Sequence, residues 1–135
     1  MLNPKQTKYK KSQRGRLKGK IILKEIFKIN SINLQSLEPV WLSSKQIEAS
    51  RRIIAKNIKK YGSFSIKVFP DKPITKKPKE TRMGSGKGLV DYWVAVVKPG
   101  TILFEIITSN TELGIKIFKM IKYKLPIKTK ILINN

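Results

Sequence analysis

The sequence predicts an α+β fold: a single compact domain of mostly antiparallel strands packed with two amphipathic helices, with an extended basic N-terminal arm and a long basic loop. Three observations predict it. Two stretches open with a capping box and continue with apolar residues at helical spacing. About six short runs rich in β-branched and aromatic residues lie between turn-forming residues. Residues 1–20 and 69–88 are strongly basic and show no amphipathic pattern. The predicted organisation is an arm over 1–20 and a domain over 21–135, with the loop at 69–88.

The chain has 135 residues, 40% of them hydrophobic, enough for one domain with a real core. Its formal net charge is +22, from 30 basic and 8 acidic residues. Self-repulsion at that charge opposes compaction, and a partner that supplies negative charge relieves it. Nucleic acid fits better than an anionic membrane surface, because the cations are spread along the whole chain. Cysteine and histidine are absent, which excludes thiol chemistry, imidazole general bases, disulfides and the usual zinc sites. No apolar run reaches membrane-spanning length, and no secretory apolar core follows Met1. Lysine is preferred to arginine, and isoleucine and asparagine are plentiful. A coding bias toward low G+C explains that choice and points to a reduced or organellar genome.

In chain order, residues 1–20 carry Lys5, Lys8, Lys10, Lys11, Arg14, Arg16, Lys18 and Lys20 and no acid. Such a tract cannot pack against itself. It reads as an extended arm, and with the whole-chain charge in view RNA contact is favoured over a solvated tail. Ile21 to Ile29 and Ile32 to Trp41 read as two strands joined at Asn30-Ser31, although Ile21-Ile22-Leu23 also suits a helix start. Ser43 to Tyr61 is the clearest helix. Ser43 and Gln46 form an S-x-x-Q box, Leu42 and Ile47 the staple, and Ile47, Ile54, Ile58 and Tyr61 one apolar face. Arg51, Arg52, Lys56, Lys59 and Lys60 decorate the rest, and Gly62 suits a left-handed C-terminal cap.

Phe64, Ile66 and Val68 alternate as a strand, and Val90 to Val97 is another. Between them, 69–88 reads as a loop. Pro70, Pro73 and Pro78 disfavour helix, and Gly84, Gly86 and Gly88 free the backbone. Lys72, Lys76, Lys77, Lys79, Arg82 and Lys87 oppose only Asp71 and Glu80. A long loop with that composition suggests a basic finger reaching toward a polyanion. Lys98-Pro99-Gly100-Thr101 is a turn, and Ile102 to Ile106 returns as a strand. Ser109-Asn110-Thr111-Glu112 is a second box, S-x-x-E, opening a helix from about Asn110 to Lys124 that Gly114 weakens by up to about 1 kcal/mol. Leu125-Pro126 ends it, and Ile127 to Ile133 is the last strand.

No constellation marks catalysis. Gly84-Ser85-Gly86-Lys87-Gly88 lacks the spacing of a phosphate-binding P-loop, and a strand follows it in place of a helix. Asp71, Glu80 and Asp91 sit among cations, so ion pairing explains them better than an acid–base pair. Trp41, Tyr92 and Trp93 could stack on bases, but neighbouring strand residues point to opposite faces, so one of Tyr92 and Trp93 is expected in the core.

Several motifs together resemble the bacterial-type large-subunit ribosomal protein uL16 family over nearly the whole length. They are Met1-Leu2-Asn3-Pro4-Lys5-x-Thr7-Lys8 with Arg14-Gly15-Arg16, Gln46-Ile47-Glu48-Ala49 with Arg51-Arg52, Phe69-Pro70-Asp71-Lys72-Pro73-Ile74-Thr75, Arg82-Met83-Gly84-x-Gly86-Lys87-Gly88, Tyr92-Trp93-Val94-Ala95 and Lys124-Leu125-Pro126-Ile127-Lys128. Leu37-Glu38-Pro39-x-Trp41 and Trp93 to Gly100 resemble the plastid-encoded branch. The motif starts at Met1, so no transit peptide is expected before it. The chain departs from the family pattern at Lys20 to Ile32, at Gln6, and at Gly114 and Ile115.

The resemblance implies a structural constituent of the large ribosomal subunit and no enzyme. It implies binding to large-subunit rRNA near the peptidyl-transferase region and an approach to A-site, and further to P-site, transfer RNA. The implied partners are rRNA, tRNA and other large-subunit components, with no cofactor, metal, membrane or small-molecule substrate. The implied location is the plastid, with a bacterial cytoplasm as the alternative. A free RNA-binding assembly factor or RNA chaperone is the competing function. The candidate RNA-binding residues are Lys5, Lys8, Lys10, Lys11, Arg14 and Arg16 of the arm, Arg51 and Arg52 of the first helix, and Lys72, Lys76, Lys77, Arg82, Met83, Gly84, Gly86, Lys87 and Gly88 of the loop.

Overall fold

The computed structural model describes residues 3–15, 19, 28–77, 84 and 86–134. Seven strands and two helices occur there: β1 (Ser31–Ser36), β2 (Val40–Ser43), α1 (Ser44–Ile58), β3 (Gly62–Ile66), β4 (Lys72–Lys76), β5 (Leu89–Val97), β6 (Ile102–Thr108), α2 (Thr111–Lys122) and β7 (Thr129–Asn134). They form two antiparallel sheets, β3-β6-β1-β7 and β2-β5-β4. The helices pack on each other; α1 also meets β2, β3 and β5, and α2 meets β1, β6 and β7. The two sheets therefore share one core, with Ile32, Leu34, Phe104 and Ile106 from the larger sheet, Leu42, Ala95 and Val97 from the smaller, and Ile47, Ile54, Ile117 and Phe118 from the helices. The fold class expected from the sequence is the one found.

Several boundaries differ, each for a physical reason. The single strand expected over Ile32 to Trp41 is two strands in different sheets. At the break, the Leu37 N–H bonds to the Lys128 carbonyl (3.0 Å), and the Ser36 hydroxyl donates to the Glu38 carbonyl (2.6 Å). Pro39 has no N–H to continue the ladder, so the chain crosses from one sheet to the other. Of the strand expected over Ile21 to Ile29, residues 21–27 lie outside the described residues, and Ile29-Asn30 is a turn with Asn30 at φ 60°.

Helix α1 begins as its sequence dictates. Ser43 is the N-cap, and both halves of the capping box form: the Gln46 N–H donates to Ser43 Oγ (3.3 Å) and the Ser43 N–H to Gln46 Oε1 (3.0 Å). It ends earlier than expected, at a Lys59 cap, which leaves Tyr61 exposed rather than on the apolar face. Gly62 is not a left-handed cap. It opens β3 opposite Thr108, where a Cβ would collide with the Ile107 carbonyl. In α2 the cap is Asn110, not Ser109: its side chain accepts from the Leu113 N–H (3.2 Å). Gly114 costs helix propensity, but Ile32 of β1 fills the space its Cβ would take, so the glycine lets α2 lie close on the sheet.

The stretch 69–88 is not wholly a loop. Strand β4 lies within it and pairs with β5 through Lys72↔Val94, Pro73↔Trp93 and Ile74↔Tyr92. Its proline did not exclude a strand, because β4 is an edge. Outside β4, the described residues of this stretch are 69–71, Lys77, Gly84 and 86–88.

Candidate nucleic-acid interface

Cross-strand pairs share a face of a sheet. The register of the smaller sheet therefore sets Trp41, Lys72, Ile74, Tyr92, Val94 and Val96 on one face. Leu42, Pro73, Trp93, Ala95 and Val97 take the other, and Leu42, Ala95 and Val97 enter the core there. Trp93 is half-buried on the core-side face and Tyr92 is exposed on the outer one. Neither ring is a fully buried core residue, contrary to expectation. The pleat separated them as expected, but the core stops short of Trp93.

The N-terminal arm crosses the outer face. Lys72 Nζ donates to the Arg14 carbonyl, and Lys87 Nζ to the Ser12 carbonyl. Lys11 Nζ donates back to the Lys87 carbonyl at 3.0 Å. Trp41 anchors the crossing, with Lys72 Nζ 4.4 Å and the Arg14 guanidinium 5.9 Å from its ring centroid. Ammonium and guanidinium groups are drawn to the negative face of an indole ring. Arm and loop, more than fifty residues apart in sequence, thus form one surface.

Of the residues proposed from sequence, Lys11, Arg14, Lys72 and Lys87 meet in this surface. Lys77 joins from its edge, donating to the Gly84 carbonyl at 2.6 Å. Gly84 and Gly86 have φ of 96° and 94°. Gly88 serves differently: a Cβ there would stand 2.6 Å from the Lys76 carbonyl oxygen, so the glycine lets the chain return against its own strand rather than against a partner. Lys5, Lys8 and Lys10 are exposed along the arm, with Lys8 Nζ 5.5 Å from the Tyr9 ring centroid, and Lys76 is exposed at the end of β4. Arg16, Arg82 and Met83 lie outside the described residues.

Arg51 and Arg52 belong to a different arrangement. Arg51 donates to both Glu48 oxygens, at 3.0 and 2.6 Å, and Arg52 Nε lies 3.5 Å from Glu48 Oε1. The Arg51 hydrogen bond holds the Glu48 carboxyl below its ordinary range, against burial that raises it, and Glu48 in turn raises Arg51. Arg51 is thus partly engaged within its own helix, while Arg52 is more exposed.

The surface has a distinct electrostatic character. Among the described residues, carboxylate ion pairs form only at Glu48 and Glu105. Lys11, Lys72, Lys77 and Lys87 donate to backbone carbonyls instead. A carbonyl satisfies a donor but neutralises no charge, so the positive field persists. Sequence reasoning missed the docking itself, including Trp41 as an anchor and Ser12 as an acceptor. Nothing local to Trp41 reveals that the arm lies over it. The described residues contain no cluster of acids, histidines or cysteines able to hold a metal, and no helix long and apolar enough to cross a membrane.

Among the described residues, arm and loop thus present one positively charged surface on a small mixed domain. Comparison with known proteins makes the class specific: the profile of the family described as Ribosomal protein L16p/L10e matches residues 4–132. The chain is 51% identical over all 135 of its residues to "Large ribosomal subunit protein uL16c" of Porphyra purpurea, covering 97% of that protein. It is 53% identical to the protein of that name from Gracilaria tenuistipitata, and 54% to that from Guillardia theta. Each of these matches takes in 96% of this chain and at least 96% of the relative. The chain belongs to the L16p/L10e ribosomal protein family, in its plastid branch. It is a structural ribosomal protein of the plastid and not an enzyme.

Proposed function

We propose that this chain is a constituent of the large subunit of the plastid ribosome, binding large-subunit rRNA near the peptidyl-transferase region and helping to position A-site, and further P-site, tRNA. The observation that carries the reading is the joining of arm and loop into one basic surface whose cations, among the described residues, meet carbonyls and no carboxylates. Phosphate supplies the missing negative charge. Each phosphate neutralised adds about 0.7–0.9 to the slope of log affinity against log salt. The relatives named above, aligned from end to end, support the large-subunit assignment.

Arg51 and Arg52 contribute on a second front from α1, with Arg52 the freer of the two. Lys87 meets the arm between the paired strands β4 and β5, clear of the core, and Arg82 belongs to the same stretch of sequence. Arg82→Ala and Lys87→Ala are therefore expected to weaken tRNA accommodation more than subunit incorporation. In vitro reconstitution measures both, and equal loss of the two would count against the positioning role. Crosslinking in the organelle tests the assignment as a whole: a peak on large-subunit rRNA supports it, and crosslinks scattered over messenger RNAs would favour a free RNA chaperone.

A further inference from the structure

Three large aromatic side chains belong to the smaller sheet, and two are already engaged. Trp41 lies under Lys72 and Arg14. Trp93 is half-buried on the core-side face. Tyr92 remains, 43% exposed at the centre of the sheet between β2 and β4 on the side that the arm crosses. Its hydroxyl makes no hydrogen bond to any described residue. Two clefts adjoin it. One, of about 270 Å³, is bounded by Arg14, Trp41, Ile74 and Lys87. The other, of about 650 Å³, opens at the start of α1 beside Ser44, Lys45 and Trp93. Tyr92 is common to both.

The smaller cleft combines apolar walls with a cationic rim. Its volume falls below the roughly 300–1,000 Å³ of sites that enclose a drug-sized ligand. It suits one planar ring, with any attached phosphate left outside at Arg14 and Lys87. Bases of unpaired RNA are recognised in this way, splayed from the strand and stacked on an aromatic side chain while the backbone meets cations. Duplex RNA keeps its bases stacked on one another and presents none to such a cleft.

We propose that the Tyr92 cleft is a stacking site for a single unpaired RNA base, with Arg14 and Lys87 holding the adjoining phosphates. The inference rests on the RNA-binding reading above and adds that this surface distinguishes splayed single-stranded RNA from phosphate backbone alone. The ring supplies the discrimination, and the cations supply affinity without it.

The test uses the full chain, one fluorescently labelled oligoribonucleotide with all its bases, and a series of the same length and charge, each abasic at one position. Anisotropy titrations are run at fixed salt. The wild type should bind the complete strand about 5- to 150-fold more tightly than the strand abasic at its most sensitive position, the range that one stacked base accounts for. Tyr92→Phe should keep that ratio. Tyr92→Leu, which keeps apolar bulk and strand propensity, should bring it close to one. Lys87→Ala should weaken binding to both strands alike and leave the ratio unchanged. A wild-type ratio of one at every position, or an unchanged ratio in a folded Tyr92→Leu protein, would overturn the base site and leave the RNA-binding reading standing. Failure of the wild type to bind either strand would overturn both.

Discussion

The two sheets of this molecule solve different problems. The four-stranded sheet meets both helices through Ile32, Phe104, Ile106 and Phe64, and the charged Glu105 on its reverse is buried beside Lys67 at 3.8 Å. The three-stranded sheet sends Leu42, Ala95 and Val97 into the same core, but its outer face is crossed in part by a chain segment held through lysines, an arginine and an indole ring, with Tyr92 left exposed. One surface is closed by apolar packing. The other is crossed by cations that still carry their charge. Stability belongs mainly to the first and, in the function proposed above, binding to the second, so substitutions in the two should separate on measurement.

The largest effect expected is on the first sheet. Phe104 is fully buried, and Phe104→Ala should cost about 3–5 kcal/mol, read as a lower midpoint in urea unfolding. A comparable cost from Tyr92→Leu would erase the contrast between the sheets. Next comes the anchor of the arm. Trp41→Ala removes the ring beneath Lys72 and Arg14, each contact worth about 0.5–2 kcal/mol. It should release the arm, seen as faster cleavage by trypsin within residues 3–15, while the helical circular dichroism persists. Loss of helical signal together with arm release would mean that the arm is part of the cooperative core.

Ser43→Ala tests the helix that joins the two sheets. It removes the acceptor for the Gln46 N–H and should cost about 1 kcal/mol without changing RNA affinity. The smallest effect concerns Glu48. Its folded carboxyl titrates below its unfolded value because of Arg51, so its contribution is present at neutral pH and disappears as pH falls through the depressed folded value. Glu48→Gln should lower the urea midpoint slightly at pH 7 and not at all once the carboxyl is protonated in both states. Exposed pairs of this kind contribute little and are screened by salt. Freeing Arg51 and Arg52 should also strengthen RNA binding modestly, which sharpens the assignment of α1 as a secondary contact.

Much of the fold was legible locally. Ser43 and Gln46 fix the start of α1 because the cap is made by residues three apart. Alternation placed β3, β-branched and aromatic residues placed β5, and the period of α1 gave its apolar face apart from Tyr61. The errors lie where distant groups intervene. Strand β4 was hidden because Pro73 and the lysines at its two ends, Lys72 and Lys76, argue against a strand in isolation, and an edge position beside β5 accommodates them. Gly62 and Gly114 looked like local choices about helices, yet the Ile107 carbonyl and the Ile32 side chain decide them. The candidate site was legible as a list of cations and not as a surface.

The sequence by itself determined the charge, the absence of thiol and imidazole chemistry, the two helices and the family. These follow from composition and from patterns spanning a few residues. Only the tertiary structure decided which cations converge and which aromatic ring stays free. Lys11, Ser12 and Arg14 meet Lys72 and Lys87 because β2 and β4 flank β5 and carry Trp41 and Lys72 onto one face. Sheet register alone brings such residues together, and it is fixed by long-range pairing and core burial that no short stretch of chain contains.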